Sequence, residues 1–561
     1  MAGKQQKQNT KAPTARGILQ SPAARWGFAL LAAVVFGVLL SYFWRVFYSL
    51  DGRFPPLQTT LFCIALPVAV VAGAALVRYA AKTWAARGTL CVLLCGLLFV
   101  FANPPLQTPD ETDHYLRTYA ISTGHFDFDA ARTYPDDVAA LVHAFPGAWV
   151  NAHTSAGIGT DPDTGAAKAY NTAGYALKQY GDTGSIESVA DSFASYFARE
   201  DVTTVSEPVS FLLVPFLPGA LGMAAAHLLG LAALGCLYAG RIGNLLAYAL
   251  LCYLALRGAA RCKPVFLCLM LLPMSLFMGG SLSYDATLLG CYYLMLALLT
   301  RREWGGKTAL LYALACVFVN IAKPYLNLLW IFLPLLVAKQ CWHAKGRRWQ
   351  WVFGSLFGCL GATLLVEWYG TALRYNYPII ARQGGQTVDA MAQLAFVLGN
   401  PLRTLAVLWG SLYENEFFIG QLGLFGWKDL PIALLNLTGP CVLLAAALLA
   451  TPAQNALGRR RTAGLGVFAA VYAAGAMAAM YITYTPVGMV RIVGLQTRYF
   501  LAVYLVVVLL AAALLRKALQ PQLGAQKAEK MALPLFGGYA VFGALLLFQH
   551  YFIGPYYTIQ L

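Results

Sequence analysis

The chain has 561 residues, of which 59% are hydrophobic and 11% are charged, and its formal net charge is +16. Soluble domains carry about 25% charged residues, so this composition excludes an ordinary soluble protein and predicts an integral membrane protein with many spans. The basic residues are scattered between apolar runs, as topology signals are, which argues against nucleic-acid binding.

The charge is unevenly distributed along the chain. Between Pro104 and Glu207, fifteen acidic and five basic residues give a net charge of −10, whereas the rest of the chain carries +26. Cytoplasmic loops are enriched in Lys and Arg, so we expect the acidic segment on the outer side of the membrane. None of the twelve cysteines lies in that segment, and we expect buried thiols, not a disulfide framework.

The predicted organisation is that of an all-α polytopic membrane protein with about thirteen transmembrane helices of roughly 20 residues each. The basic N-terminal tail is expected in the cytoplasm and the C-terminus on the extracytoplasmic side. The segments are a tail at 1–25, three transmembrane helices at 26–102, the acidic extracytoplasmic loop with interfacial helices at 103–233, a transmembrane core at 234–368, a second extracytoplasmic segment at 369–430 and C-terminal transmembrane helices at 431–561.

Three of the apolar segments have a predicted form that is specific to the segment. Phe211–Leu231 is apolar but is interrupted by two prolines, and we expect an interfacial or re-entrant helix, because a crossing there would place the basic residues after Leu256 outside. Pro264–Leu282 is predicted to be one span. Leu402–Leu412 is predicted to be amphipathic.

The acidic loop opens with a polar stretch, Asn103–Arg117. Its Thr108-Pro-Asp-Glu sequence is a typical helix start, in which Thr108 caps the helix, Pro109 takes the first position and Glu111 completes a capping box. A well-capped helix at the membrane surface therefore explains Glu111 better than it explains Asp110.

The remaining polar residues of this stretch indicate a catalytic role. Asp110 and His114 are four residues apart and share a helical face, as do Asp113 and Arg117. A carboxylate held rigidly at a helix start is suited to general-base catalysis.

Further polar residues lie at the outer ends of predicted spans, and each has a simpler explanation as well. Asp285 is equally explained as a helix N-cap, and Lys323 as a lysine that extends toward the membrane surface. Arg491 and Arg498 lie on the side where cations are disfavoured by the topology rule, and arginine is suited to binding phosphate. A base and several cations at the outer leaflet suggest deprotonation of a hydroxyl with stabilisation of a phosphate leaving group. Spacing alone leaves other lipid-phosphate chemistry open.

The sequence resembles a large bacterial family of predicted polytopic membrane proteins of unknown function. The residues that carry the resemblance are Asn103-Pro-Pro-Leu-Gln-Thr-Pro-Asp-Glu-x-x-His114, Phe216-Leu-Pro-Gly-Ala-Leu-Gly222, Leu237-Tyr-Ala-Gly-Arg-Ile-Gly-Asn-Leu-Leu246, Leu272-Pro-Met274, Ser283-Tyr-Asp-Ala286, Lys323-Pro-Tyr325, Gly426-Trp427 and Arg498-Tyr-Phe500. The layout of that family is similar to GT-C glycosyltransferases such as protein O-mannosyltransferases and lipid A aminoarabinose transferases, whose first outer loop carries an acidic residue.

This resemblance implies an inverting glycosyltransferase that moves a sugar from a polyprenyl-phosphate donor to an envelope glycan or glycolipid, in the bacterial cytoplasmic (inner) membrane. The residues it implies are catalytic Asp110, Glu111 and His114, phosphate-binding or donor-binding Lys323, Arg491, Arg498 and Tyr499, and supporting Asp285, Tyr284 and Asp113.

Two alternatives to a transferase stay open. A transporter or flippase for lipid-linked saccharides would place charges deep in the spans, and a scaffold protein would leave the Asp110 carboxylate dispensable. A divalent cation also stays open, since hard ligands are present but their spacing is not diagnostic; the candidate ligands are Asp110, Glu111, Asp113, His114 and His125.

Overall fold

The structure is a computed structural model. It describes residues 22–47, 56–126, 132–145, 147, 156–160, 167–171, 189–199, 213–301, 303–323, 326–337, parts of 350–365, 382–383, 386–414, 422–427, 430–519 and 523–553. The predicted tail at 1–25 and the middle of the acidic loop therefore lie largely outside the described residues.

The chain divides into two units, residues 1–87 and 88–561. The first contains helices α1 (Pro22–Phe47) and α2 (Pro56–Ala80), which are 26 and 25 residues long. Trp26 donates a hydrogen bond from Nε1 to the Tyr79 hydroxyl at 2.8 Å, which joins the two helices near the start of α1 and the end of α2. Such tryptophan and tyrosine side chains are typical of a membrane–water boundary.

The second unit is built almost entirely of helices. In chain order these are α3 (Trp84–Ala102, which begins in the first unit), α4 (Glu111–Ser122), α5 (Asp136–Ala144), α6 (Val189–Ala198), α7 (Leu217–Leu228), α8 (Ala233–Gly258), α9 (Lys263–Met270), α10 (Pro273–Gly279), α11 (Asp285–Leu299), α12 (Gly306–Ala322), α13 (Leu329–Val337), α14 (Ala390–Gly399), α15 (Pro401–Glu414), α16 (Ala433–Leu449), α17 (Arg459–Thr483), α18 (Leu501–Ala518) and α19 (Ala525–Phe548).

Strands are few in the described residues. They form three antiparallel pairs, of β1 (Ala156–Thr160) with β2 (Ala167–Asn171), β3 (Arg382–Gln383) with β4 (Gln386–Thr387) and β5 (Leu424–Phe425) with β6 (Leu430–Pro431).

Seven described helices are long and apolar enough to cross a membrane, and the count is eight if the bent pair α14–α15 is one span. The prediction of about thirteen spans is therefore not confirmed. Four shorter apolar segments that coincide with predicted spans account for part of the difference: Asp285–Leu299, Gly306–Ala322, Leu326–Val337 and Ala433–Leu449. The predicted span at 351–366 falls partly outside the described residues.

One predicted span is broken. Pro264–Leu282 was expected as a single helix, but it forms α9 and α10, which are eight and seven residues long. Pro273 begins α10, and a proline supplies no backbone N–H and clashes with the preceding helical turn. The break therefore follows from the position of Pro273.

Helix α11 lies at the centre of the second unit, and all fifteen of its residues are buried. It packs against α8 at small residues: a methyl group added at Gly290 would lie 2.8 Å from Leu251, and one at Gly258 would lie 3.0 Å from Leu298. The small residues let the two helices approach closely, as is usual between transmembrane helices.

Two elements expected near the membrane surface are helical. The 12-residue α7 is preceded by a 3-10 turn, Val214–Phe216. At about 1.5 Å per residue such a helix is too short to cross a bilayer core of about 30 Å alone. The predicted amphipathic part, Leu402–Leu412, lies in α15, which is bent by 109° from α14 and leaves Leu402, Leu405 and Trp409 exposed.

Candidate functional site

The stretch after α3 turns sharply before α4 begins. Leu106 and Asp110 both have a left-handed backbone conformation, with φ of 61°, which residues other than glycine rarely adopt. Helix α4 begins at Glu111 with Asp110 as its N-cap residue, and the Asp110 side chain makes no cap hydrogen bond.

The prediction that Thr108 caps this helix is wrong. Its hydroxyl accepts a hydrogen bond from Asn103 Nδ2 at 3.1 Å, and the helix starts three residues later. The other half of the predicted capping box is present, because the backbone N–H of Thr108 donates to Glu111 Oε2 at 3.1 Å.

Glu111 forms a fully buried ion pair with Arg241 of α8. Arg241 donates from Nε to Oε1 at 2.9 Å and from Nη2 to Oε2 at 2.7 Å, and both side chains are 0% exposed. Oε1 also accepts the backbone N–H of Leu282 at 3.0 Å. With the bond from Thr108, the carboxylate accepts four hydrogen bonds, so it has no capacity left for a substrate.

The remaining donors of Arg241 hold the end of α3. Nη1 donates to the carbonyls of Val100 and Asn103 at 3.1 and 2.7 Å, and Nη2 donates to that of Pro104 at 2.8 Å. Carbonyls at a helix C-terminus lack partners within the helix and attract cations. Because all five N–H groups of Arg241 are used, we assign it and Glu111 a positioning role.

Sequence reasoning missed Arg241 as a functional residue. The available signal was an arginine eight residues into an otherwise apolar helix, a position where a charge is expected to have a specific partner. The partner is 130 positions away in the sequence, and spacing could not identify it.

Four charged residues from distant parts of the chain meet beside the start of α4. Arg498 lies in the 3-10 turn Thr497–Phe500 before α18. Its Nη2 donates to Asp110 Oδ2 at 3.2 Å, and its Nε lies 3.3 Å from Asp285 Oδ2. Lys323, directly after α12, donates from Nζ to Asp285 Oδ1 at 2.8 Å. We call these four residues the charged cluster.

The four side chains of the charged cluster differ in their exposure to solvent. The side chains of Asp285 and Arg498 are each 7% exposed, that of Lys323 is 34% exposed and that of Asp110 is 55% exposed. Asp285 occupies the first turn of α11, where the helix dipole favours a carboxylate. The cluster therefore has a buried, fixed carboxylate and an exposed one.

Two tyrosines border the cations. Lys323 Nζ lies 4.6 Å from the ring centre of Tyr499 and 5.6 Å from that of Tyr284. The Arg498 guanidinium carbon lies 5.3 Å from the Tyr499 ring. Cations over aromatic faces at this range are held without consuming all their N–H donors.

Arg498 retains free donors. Among the described residues, its Nη1 and Nε have no hydrogen-bond partner although both atoms are buried; the approach of Nε to Asp285 is a charge contact only. A buried guanidinium normally has its donors satisfied, because an unpaired buried polar group is costly. These N–H groups are suited to donate hydrogen bonds to an anionic ligand.

Lys323 remains charged in this setting. Burial by itself would lower the pKa of its ammonium group, but the attraction of the Asp285 carboxylate outweighs this, and the pKa is raised above its ordinary value. The site thus presents a permanent pair of cations at neutral pH.

His114 lies on the other side of the cluster. Its ring packs against Phe216 and Tyr284, with centroid separations of 5.3 and 5.1 Å. Burial lowers the pKa of His114 to about 4, against the opposing attraction of Asp110 and Asp285. The imidazole is therefore neutral at pH 7, and its buried Nδ1 has no hydrogen-bond partner in the described residues.

Asp113 is exposed on the next part of α4. Partial loss of water around its carboxyl group, together with repulsion from Asp110, raises the pKa of Asp113 to about 6. A carboxyl group with a pKa of about 6 is suited to proton transfer near neutral pH.

A buried hydrogen-bond network holds the backbone of Lys323. It is formed by Asn327, Tyr292 and Tyr472, and we call it the tyrosine–asparagine network. The Asn327 Nδ2 group donates to the Lys323 carbonyl at 2.8 Å, and Asn327 Oδ1 accepts the hydroxyls of Tyr292 and Tyr472 at 2.8 and 3.1 Å. Tyr292 lies about two turns beyond Asp285 on α11. In the sequence, these residues are recognisable only as polar groups in apolar helices.

The structure brings together most of the predicted site residues, but not all. Six of them lie next to one another: Asp110, Asp285, Lys323, Arg498, Tyr284 and Tyr499. Arg491 is exposed, and no hydrogen bond or ion pair in the described part of the chain joins it to the charged cluster. Tyr325, part of the Lys323 motif, lies outside the described residues.

The acidic residues beside α4 are arranged as partners of arginines. In the described residues, no three His, Cys, Asp or Glu side chains are grouped so that they could hold a metal ion. Asp110 and Glu111 are instead paired with Arg498 and Arg241. The eleven described cysteines are free thiols, ten of them buried, in agreement with the expectation of no disulfide framework.

Comparison with known proteins settles the family. A family model described as "Predicted membrane protein (DUF2142)" matches residues 93–507, about three quarters of the chain. The chain belongs to the DUF2142 family. The DUF2142 region contains the stretch after α3, Arg241 and the whole charged cluster. No curated protein and no solved structure matches the chain. This DUF2142 protein is a multi-pass membrane protein.

Proposed function

We propose that the protein is a GT-C-type membrane glycosyltransferase that takes a sugar from a polyprenyl-phosphate donor and transfers it to an envelope glycan or glycolipid at the extracytoplasmic face of the bacterial inner membrane. The observation that carries the proposal is the buried Arg498 guanidinium, whose Nη1 has no hydrogen-bond partner in the described residues, beside Lys323 and the exposed Asp110. Arginine and lysine are the usual partners of phosphate, and carboxylates are usual general bases.

In the proposed reaction, Asp110 takes the proton of an acceptor hydroxyl. The hydroxyl oxygen forms a bond to the anomeric carbon, and the bond between that carbon and the phosphate oxygen breaks. Its electron pair passes to the lipid phosphate, whose developing charge Arg498 and Lys323 stabilise. Asp285 would hold both cations in place, and Tyr284 and Tyr499 would border the donor.

The neutral His114 is suited to a supporting role. Because its pKa is lowered to about 4, it can offer a hydrogen bond to a sugar hydroxyl at pH 7 without adding charge. Glu111 does not contact the substrate in this proposal. It fixes the backbone before Asp110 through Thr108 and the backbone before Asp285 through Leu282.

The proposal is tested with membranes that contain the full chain and a radiolabelled set of polyprenyl-phosphate sugars. Asp110→Asn is expected to lower transfer at least about 100-fold, because general-base catalysis contributes that much or more. The matched control is Asp136→Asn, which removes one exposed carboxylate from the first turn of α5 and should leave transfer unchanged.

Two results would refute the proposal. Equal transfer by the wild type and Asp110→Asn would remove the catalytic assignment. Consumption of no donor, with movement of the labelled lipid across the bilayer, would favour the transporter instead.

A further inference from the structure

The charged cluster is electrically balanced as it stands. Lys323 and Arg498 carry two positive charges, and Asp110 and Asp285 carry two negative charges. A phosphate that approached these cations would meet a neutral group of side chains, and it would be repelled by the carboxylates at short range. Binding of an anion therefore requires one carboxylate to leave.

The two carboxylates differ in how firmly they are held. Asp285 contacts Lys323 at 2.8 Å and Arg498 at 3.3 Å, and its side chain is 7% exposed. In the described part of the chain, the Asp110 side chain makes one ion pair, with Arg498 at 3.2 Å, and it is 55% exposed. An ion pair with so exposed a carboxylate contributes little to stability, so Asp110 is the carboxylate that an incoming anion can replace.

The backbone of Asp110 would not need to move. The next residue, Glu111, is fixed by its buried contacts with Arg241, Thr108 and Leu282. Rotation about the side-chain bonds of Asp110 is therefore enough to move its carboxylate away from Arg498 and into solvent.

From these contacts we infer that Asp110 occupies the phosphate position on Arg498 in the empty protein, and that the donor phosphate displaces it. The inference rests on the proposed function and adds the order in which donor binding and proton transfer occur. While Asp110 is paired with Arg498, its Oδ2 atom is occupied by the hydrogen bond from Arg498 Nη2 at 3.2 Å. Displacement frees the carboxylate to accept a proton once the donor has bound, so the acceptor reacts only in the presence of donor.

The same charge balance specifies the anion. After Asp110 has left, Lys323, Arg498 and Asp285 carry a net charge of +1. This complements a lipid phosphodiester, which has one negative charge, better than a lipid diphosphate, which has two or more. The ligand class is therefore a lipid phosphodiester with a sugar or other alcohol on the second oxygen.

The test measures binding in the absence of any transfer. The probe is radiolabelled methyl farnesyl phosphate, a phosphodiester with one charge, and the protein is the full chain in detergent micelles. Asp110→Asn is expected to bind the probe about three- to tenfold more tightly than the wild type, since the competing charge is gone. The control Asp136→Asn is expected to bind as the wild type does, and Arg498→Gln is expected to bind at least about tenfold more weakly.

The outcomes separate this inference from the proposed function. If Asp110→Asn binds the probe as the wild type does, or more weakly, the displacement is refuted although the anion site stands. If neither protein binds the probe, the anion site and the proposed function are refuted together.

Two competitors test the ligand class. Farnesyl diphosphate is expected to compete less well than unlabelled probe, and stronger competition would overturn the charge argument. Phosphatidylglycerol, which is also a phosphodiester, is expected to compete weakly. Equal competition by phosphatidylglycerol would make this a site for bulk phospholipid and would overturn the displacement as a donor-dependent step. Circular dichroism of every variant confirms that the protein is folded.

Discussion

Replacing Glu111 by Gln tests the positioning role of the buried ion pair. The side chain keeps its size, but the substitution removes the negative charge that faces Arg241, and both side chains are 0% exposed. The amide nitrogen of Gln would also point a donor at an N–H group of Thr108, Leu282 or Arg241, because the carboxylate accepts hydrogen bonds from all three. The variant therefore has an uncompensated buried cation and at least one pair of opposed donors.

The expected cost is large. Removal of one partner from a buried ion pair lowers the free energy of unfolding by about 3–5 kcal/mol. Asp110→Asn provides the contrast, because it changes the adjacent carboxylate, whose side chain is 55% exposed, and should cost about 1 kcal/mol or less. The double variant Glu111→Gln with Arg241→Gln should lose less than the two single variants together, since the isolated charge is gone.

The measurement is the free energy of unfolding in mixed micelles, from a titration with dodecyl sulfate followed by circular dichroism. The reasoning is refuted if Glu111→Gln costs no more than Asp110→Asn. It is also refuted if the losses of the two single variants simply add, because the two side chains would then act independently.

Three further predictions concern neighbouring groups. Burial lowers the pKa of His114 from 6.5 to about 4, so the contribution of the neutral imidazole to stability is present above pH 6.5 and is lost as the pH falls toward 4. The difference in melting temperature between the wild type and His114→Phe should therefore change between pH 6.5 and pH 4. A constant difference would contradict this prediction. The pKa of Asp113 is raised from 3.8 to about 6, so Asp113→Asn should melt higher than the wild type above pH 6 and equally below pH 4, as thermal scans would show. Tyr472→Phe removes the hydrogen bond of 3.1 Å that the Tyr472 hydroxyl donates to Asn327 Oδ1. It should lower the free energy of unfolding by about 0.5–1.5 kcal/mol in the same titration, and no loss would mean that the network is not structural.

The sequence identified the helical membrane class and several residues of the site, for reasons that are local. Asp110, Asp285 and Arg498 stood out because charges are rare in this chain and lie at the ends of apolar runs. Charge bias placed them on one side of the membrane, and the structure joins them through contacts of 3.2 and 3.3 Å.

What could not be predicted depends on contacts between distant residues. The Thr108 cap fitted the local pattern, but the hydroxyl bonds to Asn103 and the backbone turns left-handed at Asp110. Arg241 could be recognised as an unusual charge, but not as the partner of Glu111. The predicted number of spans is not confirmed. One reason is that apolar runs such as Pro264–Leu282 were counted by composition, although Pro273 divides that run into two short helices.

The complete burial of α11 has a consequence for how this protein can vary in sequence. Every residue from Asp285 to Leu299 is enclosed by protein, and buried positions tolerate exchanges that conserve volume better than those that change it. Only 11% of the apolar stretch of α2 is buried, so the side chains of α2 need to remain apolar but need not keep their size and shape. Homologues should therefore differ freely along α2, whereas substitutions in α11 should occur as compensated pairs with α8 that preserve the close contacts at Gly258 and Gly290.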